Sequence, residues 1–223
     1  MNRLRYIKNS FVVAAVIIIM GCQSTDKPPV SAEGLELKYN TRSTTAYKRE
    51  GVSFADYNKI QISPSTVAFK KNWQRNYNRD QVSMSSRIKD KDVVRIKESV
   101  KKMLDDTFKF EFDKNDKYSI VEQPTTGTLL LKPSIIDLNV NAPDIMSTSR
   151  SKTFVHEAGR ATLFLEIYDA VSGEILARII DTQTVGDNHG LYQWANRITN
   201  AADAKRVIKK WAKTLSEKFE QAQ

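Results

Sequence analysis

The 223-residue sequence carries 35 lysines and arginines against 26 aspartates and glutamates, a formal charge of +9, and 40% of its residues are hydrophobic. That composition supports one sizeable core, while the charge is too dispersed for the concentrated basic face of a nucleic-acid binder. A single cysteine excludes an intramolecular disulfide, so packing must hold the fold.

The first ten residues hold Arg3, Arg5 and Lys8 and no acid, and Phe11 to Met20 is an unbroken apolar run. A membrane span needs about 20 apolar residues, so this charged start with a short apolar middle predicts a secretory signal segment instead. The run ends at Ile19-Met20-Gly21-Cys22. This stretch resembles the bacterial lipobox, in which an aliphatic, a variable and a small residue precede a cysteine. The resemblance implies cleavage between Gly21 and Cys22, a diacylglyceryl thioether on Cys22, and acylation of the new amino group. Only a thiolate supplies that chemistry, and two or more acyl chains anchor stably. The expected partner is therefore a lipid bilayer and the expected location the cell envelope. By analogy with lipoprotein sorting, Gln23 after the cysteine implies the outer membrane, facing the periplasm, in a cell with two membranes. The expected organisation is a signal peptide over 1–21, a lipidated cysteine with a flexible tether over 22–34, and a single globular domain over 35–223. The tether expectation rests on QSTDKPPVSAEG, which lacks aromatic residues and any helical or strand period.

Residues 35–56 are poorly periodic and predict at most a short edge element. Lys59 to Phe69 predicts a strand in which Pro64 marks a bulge or an edge. Lys70 to Arg79 is the most basic local window, with Trp73 and Tyr77 among Lys70, Lys71, Arg75 and Arg79. Cations interleaved with rings suit an anionic glycan or a lipid phosphate. The competing and favoured reading is a solvated helical turn whose two rings pack inward. From Asp92 to Phe110 the apolar stripe Val93, Ile96, Val100, Met103, Leu104, Phe108 predicts a helix, with Asp90 as its N-cap. Tyr118 to Glu122 and Thr128 to Val140 predict strands, and the polar segment Asn141 to Gly159 a long loop able to carry function. Arg160 to Asp169 alternates Leu163, Leu165 and Ile167 with Thr162, Phe164, Glu166 and Tyr168, and Glu174 to Asp181 follows after Gly173. That is a hairpin pattern with a glycine at its turn. Asp187 to Asn200 predicts one or two helical turns. Ala201 to Ala222 predicts a last helix, with Asn200 and Asp203 as its capping pair and Ala204, Ile208, Trp211, Leu215 and Phe219 on its apolar face.

No catalytic constellation is present. His156 and His189 are the only histidines and neither belongs to a zinc motif; nucleophile-elbow, phosphate-loop and dinucleotide fingerprints are absent. Asp105-Asp106 sits among helix lysines as surface charge, Asp169 and Glu174 fall short of a calcium loop, and Ser147, Ser149 and Ser151 lack an evident base.

Three stretches, Ala55 to Ile60, Gly127 to Leu130 and Tyr168 to Leu176, with their spacing, resemble an uncharacterised family of bacterial envelope lipoproteins, domain of unknown function 3313. The likeness covers most of residues 35–220 and brings no catalytic or binding residue with it. The element pattern predicts a two-layer α+β fold, an antiparallel or mixed sheet of about five strands with two amphipathic helices on one face. The expected role is a non-enzymatic binding or assembly accessory of an envelope complex, without metal or cofactor beyond the lipid on Cys22 and without nucleic acid. The alternatives are a cell-wall polymer hydrolase or transferase, and an anionic glycan- or lipid-binding protein using Lys70, Lys71, Trp73, Arg75, Tyr77 and Arg79.

Overall fold

The structure, a computed structural model, describes residues 27–143, 153–186 and 193–221. Gly21, Cys22, His189 and the serines from Ser147 to Ser151 lie outside the described residues.

The architecture is α+β, as expected, but among the described residues the main sheet has eight strands where about five were expected. Two of the additional strands come from residues 35–56. These form a hairpin of β1 (Glu36–Asn40) and β2 (Thr44–Lys48), and β2 extends the sheet by pairing antiparallel with a later strand, β9 (Ile175–Val185). The stretch expected as one strand over 59–69 divides at Pro64 into β3 (Lys59–Ile62) and β4 (Thr66–Phe69). Both run parallel to the same long strand, β6 (Thr128–Val140): β3 along its first half and β4 along its second. Proline cannot donate to a ladder, and the break falls where the chain shifts from one half of the partner to the other.

Helix α1 (Trp73–Arg79) follows β4, and a 3-10 turn (Met84–Ser86) leads into α2 (Asp90–Asp113). The N-cap of α2 is Lys89, one residue before the expected Asp90. The carboxylate three positions into the helix, Asp92, accepts the Lys89 backbone N–H at 3.1 Å. Burial alone would raise the Asp92 pKa, but that bond and the Arg95 guanidinium at 3.1 Å outweigh it and hold the carboxyl below its usual range. After the short β5 (Ser119–Ile120) and β6 come β7 (Thr153–Val155), β8 (Gly159–Asp169), β9 (Ile175–Val185), β10 (Gln193–Ala195) and α3 (Arg197–Gln221). The main sheet runs β1-β2-β9-β8-β6-β3-β5, with β4 also on β6, while β7 and β10 make a separate antiparallel pair. A strand thus occupies part of the stretch expected as helical turns. Helix α3 begins four residues before the expected Ala201, with Asn196 ahead of it taking the Ile198 and Thr199 N–H groups at 2.8 and 3.0 Å.

The core lies between the sheet and the two long helices. Alternation places Ala161, Leu163, Leu165 and Ile167 of β8 on one face, joined by Leu129, Leu131 and Ile135 of β6, and α2 and α3 cover them. The C-terminal ends of the helices lie side by side: Phe112 and Phe219 have ring centroids 6.2 Å apart, and Asn115 Nδ2 donates to Ser216 Oγ at 3.0 Å. On the other face a small cluster of Leu35, Tyr47 and Ile175 ties the N-terminal segment to the sheet. The described part of the expected tether is therefore docked. Tyr47 Oη donates to the Pro28 carbonyl at 3.2 Å, and the Ser31 N–H to that of Leu35 at 2.8 Å.

Candidate functional site

The apolar stripe of α2 is continuous in sequence, but its burial is not. Leu104, Phe108 and Phe112 are fully buried, whereas Ile96, Val100 and Met103 are only partly covered. Helix α3 repeats the pattern, with Ile208, Trp211, Leu215 and Phe219 buried and Ala204 only partly so. The reason is side-chain size. Large rings fill the space between the C-terminal halves, whereas Ala201 and Ala204 on α3 face Ala158, Gly159 and Ala161 of the sheet layer across an unfilled gap.

This gap is a cleft of about 170 Å³, open at one side, between the N-terminal halves of α2 and α3 and the end of the sheet. Ile135, Leu138 and Val140 of β6 and Val185 of β9 form its floor. Among the described residues its polar side chains are few: Arg95, Ser99, Asn139 and Asn200. Leu138 follows Asp137, whose backbone sits at φ 52° in the bulge that bends β6 against β8. A bulge at this point re-aims the side chains after it.

The rim is held by hydrogen bonds. Trp73 Nε1 donates to the Val140 carbonyl at 3.1 Å and Asn200 Nδ2 to the Ala142 carbonyl at 2.9 Å. Asn139 Nδ2 donates to Asn141 Oδ1 at 2.9 Å, and Asn141 Nδ2 to the Glu157 carbonyl at 3.0 Å. The two ends of the polar segment Asn141 to Gly159, expected to carry function, thus lie at the cleft.

The residues singled out from sequence do not gather here. Lys70, Lys71, Arg75 and Arg79 are exposed around α1. Trp73, 5% exposed, stacks on Phe69 with ring centroids 4.0 Å apart. Tyr77 is half-buried beside it, and burial pushes its phenol pKa up. The rings therefore pack inward, away from any stacking ligand. Asp105 and Asp106 serve structure: Asp105 accepts the Ser65 N–H at 2.9 Å and Asp106 pairs with Lys102 at 2.9 Å. Asp169 is saturated at the β8–β9 turn by the Val171 and Ser172 N–H groups, the Ser172 hydroxyl and Tyr57 Oη. Among the described residues no three histidine, cysteine, aspartate or glutamate side chains gather to hold a metal, and no helix is long and apolar enough to cross a membrane. His156 is exposed on the short connection before β8.

Sequence reasoning missed the cleft because its lining comes from separate segments. A usable signal existed in the alanines at 158, 161, 201 and 204, the small members of otherwise large apolar patterns.

No curated protein matches the sequence. Among solved structures, a PelC dodecamer from Paraburkholderia phytofirmans is 12% identical, covering 76% of this chain and 96% of that one, with a TM-score of 0.35. Protein XCC0632 from Xanthomonas campestris, matched to the DUF330 family model, is 9% identical over 75% of this chain and 86% of its own, with a TM-score of 0.40. A PDZ domain protein from Parabacteroides distasonis is 10% identical over 78% of this chain and 35% of its own, with a TM-score of 0.39. The family model described as "Protein of unknown function (DUF3313)" matches residues 33–215, and the chain belongs to that family.

Proposed function

We propose that this protein is a non-enzymatic binding protein of the cell envelope, held to the membrane by lipid on Cys22, with the cleft between α2 and α3 as its ligand site. The observation that supports binding is the cleft itself, an apolar space of about 170 Å³ left open between two helices that pack tightly at their other ends. An apolar cavity of about 150 Å³ accepts a benzene ring, whereas whole drug-sized ligands need about 300 Å³ or more. The cleft therefore takes one ring or a short alkyl end, and the remainder of the ligand lies outside, against the rim asparagines.

The test uses small apolar probes. Benzene and n-hexanol raise the Tm of the wild-type chain by binding the native state. Ala204→Phe fills the cleft from α3, keeps the native circular dichroism spectrum and loses the rise. A wild-type Tm that ignores every probe removes the cleft as a ligand site.

A further inference from the structure

The stretch from Lys70 to Lys91 combines strong positive charge with apolar exposure. It holds seven basic residues against two acidic ones, Asp80 and Asp90. Lys70, Lys71, Arg75, Arg79, Lys89 and Lys91 are all exposed. Between them, Val82 is 102% exposed and Met84 71%. These are the two most exposed apolar side chains of this stretch; Met84 opens the 3-10 turn joining α1 to α2, and Val82 lies two residues before it.

Built structure holds them outward. Asn78 Nδ2 donates to the Ile88 carbonyl at 2.9 Å and Asn78 Oδ1 accepts the Ile88 N–H at 2.7 Å, closing the loop at its base. Within it the Ser83 hydroxyl caps the turn by accepting the Ser85 N–H at 3.3 Å, and the Arg87 N–H returns to the Met84 carbonyl at 3.3 Å. A loop tied this way presents aliphatic tips surrounded by cations.

That pairing matches an anionic bilayer surface. Cations meet the phosphates while short aliphatic side chains enter the headgroup and acyl boundary. A soluble anionic polymer has no use for aliphatic tips, and the rings that would stack on its sugars, Trp73 and Tyr77, are turned inward. We propose that the Lys70 to Lys91 surface is a bilayer-contact face that seats on anionic phospholipid with Val82 and Met84 inserted. This face is separate from the cleft and does not require acylation of Cys22, so it stands or falls independently of the ligand site and the anchor.

The experiment places an environment-sensitive nitrobenzoxadiazole label on Val82→Cys in the chain from residue 22 onward with Cys22→Ser, which leaves one thiol. Vesicles are phosphatidylcholine alone or mixed with phosphatidylglycerol. On anionic vesicles the label shifts to the blue and brightens several-fold, and on neutral vesicles it does not. High salt reverses the change. Replacing Lys70, Lys71, Arg75 and Arg79 with glutamine weakens the anionic response by about tenfold or more. The same label on Val171→Cys, at the exposed β8–β9 turn, stays unchanged. An unresponsive label at position 82, or an equal response at position 171, overturns the proposal. Binding of soluble heparin with no change at position 82 on vesicles also overturns it, in favour of a polyanion site.

Discussion

Arg178 on β9 grips Glu33 of the N-terminal segment through two parallel hydrogen bonds, Nη1 to Oε2 at 3.0 Å and Nη2 to Oε1 at 2.8 Å. The same guanidinium reaches Glu166 of β8 at 2.7 Å, and Tyr168 Oη donates to the other oxygen of Glu166 at 2.9 Å. One arginine thus neutralises two carboxylates on the sheet face away from the helices, and the N-terminal segment is held there by a planar fork suited to carboxylate.

Glu33→Gln is therefore expected to loosen the N-terminal segment without unfolding the domain. The hydrogen bond from Arg178 lowers the Glu33 pKa from 4.5 to about 2. A carboxyl with a depressed folded value stabilises above its unfolded value and loses that contribution as pH falls through the folded one. In the wild type the grip persists through mild acid and is lost near pH 2. Amide exchange at Ser31 and Leu37, which bond to Leu35 and Pro29, reads this directly. It is faster in Glu33→Gln at neutral pH while the unfolding midpoint moves little.

Trp211 and Asp181 make the second test. Asp181 of β9 is buried, and its carboxylate accepts from Trp211 Nε1 at 2.6 Å, from Gln183 Nε2 at 2.7 Å and from Thr44 Oγ1. This arrangement pins α3 and β2 to one strand. Trp211→Phe keeps a ring in the core but removes a donor to a charged acceptor, which costs about 2 kcal/mol. Tm falls by roughly 4–8 °C. In urea the midpoint drops while the slope is unchanged, because little surface is newly exposed.

At the C-terminal end of β8, Tyr57 Oη donates to Asp169 Oδ2 at 3.0 Å. Burial, aided by that bond, raises the Tyr57 pKa from 10.0 to about 12. The sign is the reverse of Glu33: the neutral phenol is favoured in the fold, so its contribution is complete below pH 10 and disappears as pH rises through 12. Tyr57→Phe is expected to flatten the loss of stability between pH 10 and 12, measured by urea midpoints across that range. Asp169 shifts the other way, its pKa lowered first by the Ser172 N–H and further by Tyr57, so the turn it caps keeps its charge in mild acid.

Anchoring has its own test at Cys22. Metabolic labelling with a palmitate analogue is expected to mark the wild-type protein and leave Cys22→Ser unmarked. Two or more acyl chains give stable attachment where one gives only reversible binding. A palmitate signal that survives Cys22→Ser removes the lipid anchor from the proposal.

What was legible in the sequence follows physical rules. The α2 and α3 stripes and the Leu163, Leu165, Ile167 alternation were readable because each element buries one face, and Pro64 marked a real break. The β1–β2 hairpin was not, because an edge ribbon such as ELKYN is half-exposed and shows no period. Nor was the docking of residues 27–34, which depends on Glu33 finding Arg178 across 145 positions. Parallel pairing of β3 and β4 with β6 depends on where the intervening helices lie, which no local pattern specifies. The cleft escaped for a related reason: it is a deficit of side-chain volume shared among distant segments.

Gly159 connects that cleft to stability. It starts β8 opposite Val140, and a Cβ there would lie 2.1 Å from the Asn139 carbonyl oxygen. The obstruction is backbone, so the strands themselves must separate. Gly159→Ala is expected to cost about 3 kcal/mol, at the upper end of overpacking effects. Gly173, at φ +72°, provides the contrast, because a Cβ added there would meet nothing within 4 Å. Gly173→Ala pays only the left-handed backbone strain of about 1 kcal/mol. Urea unfolding ranks the two, and probe titration distinguishes their sites. Gly159→Ala distorts the cleft wall and weakens benzene binding, whereas Gly173→Ala, at the far turn of the hairpin, leaves it intact. Equal losses of stability in the two variants would mean that β6 and β8 do not approach as closely as the Asn139 contact requires.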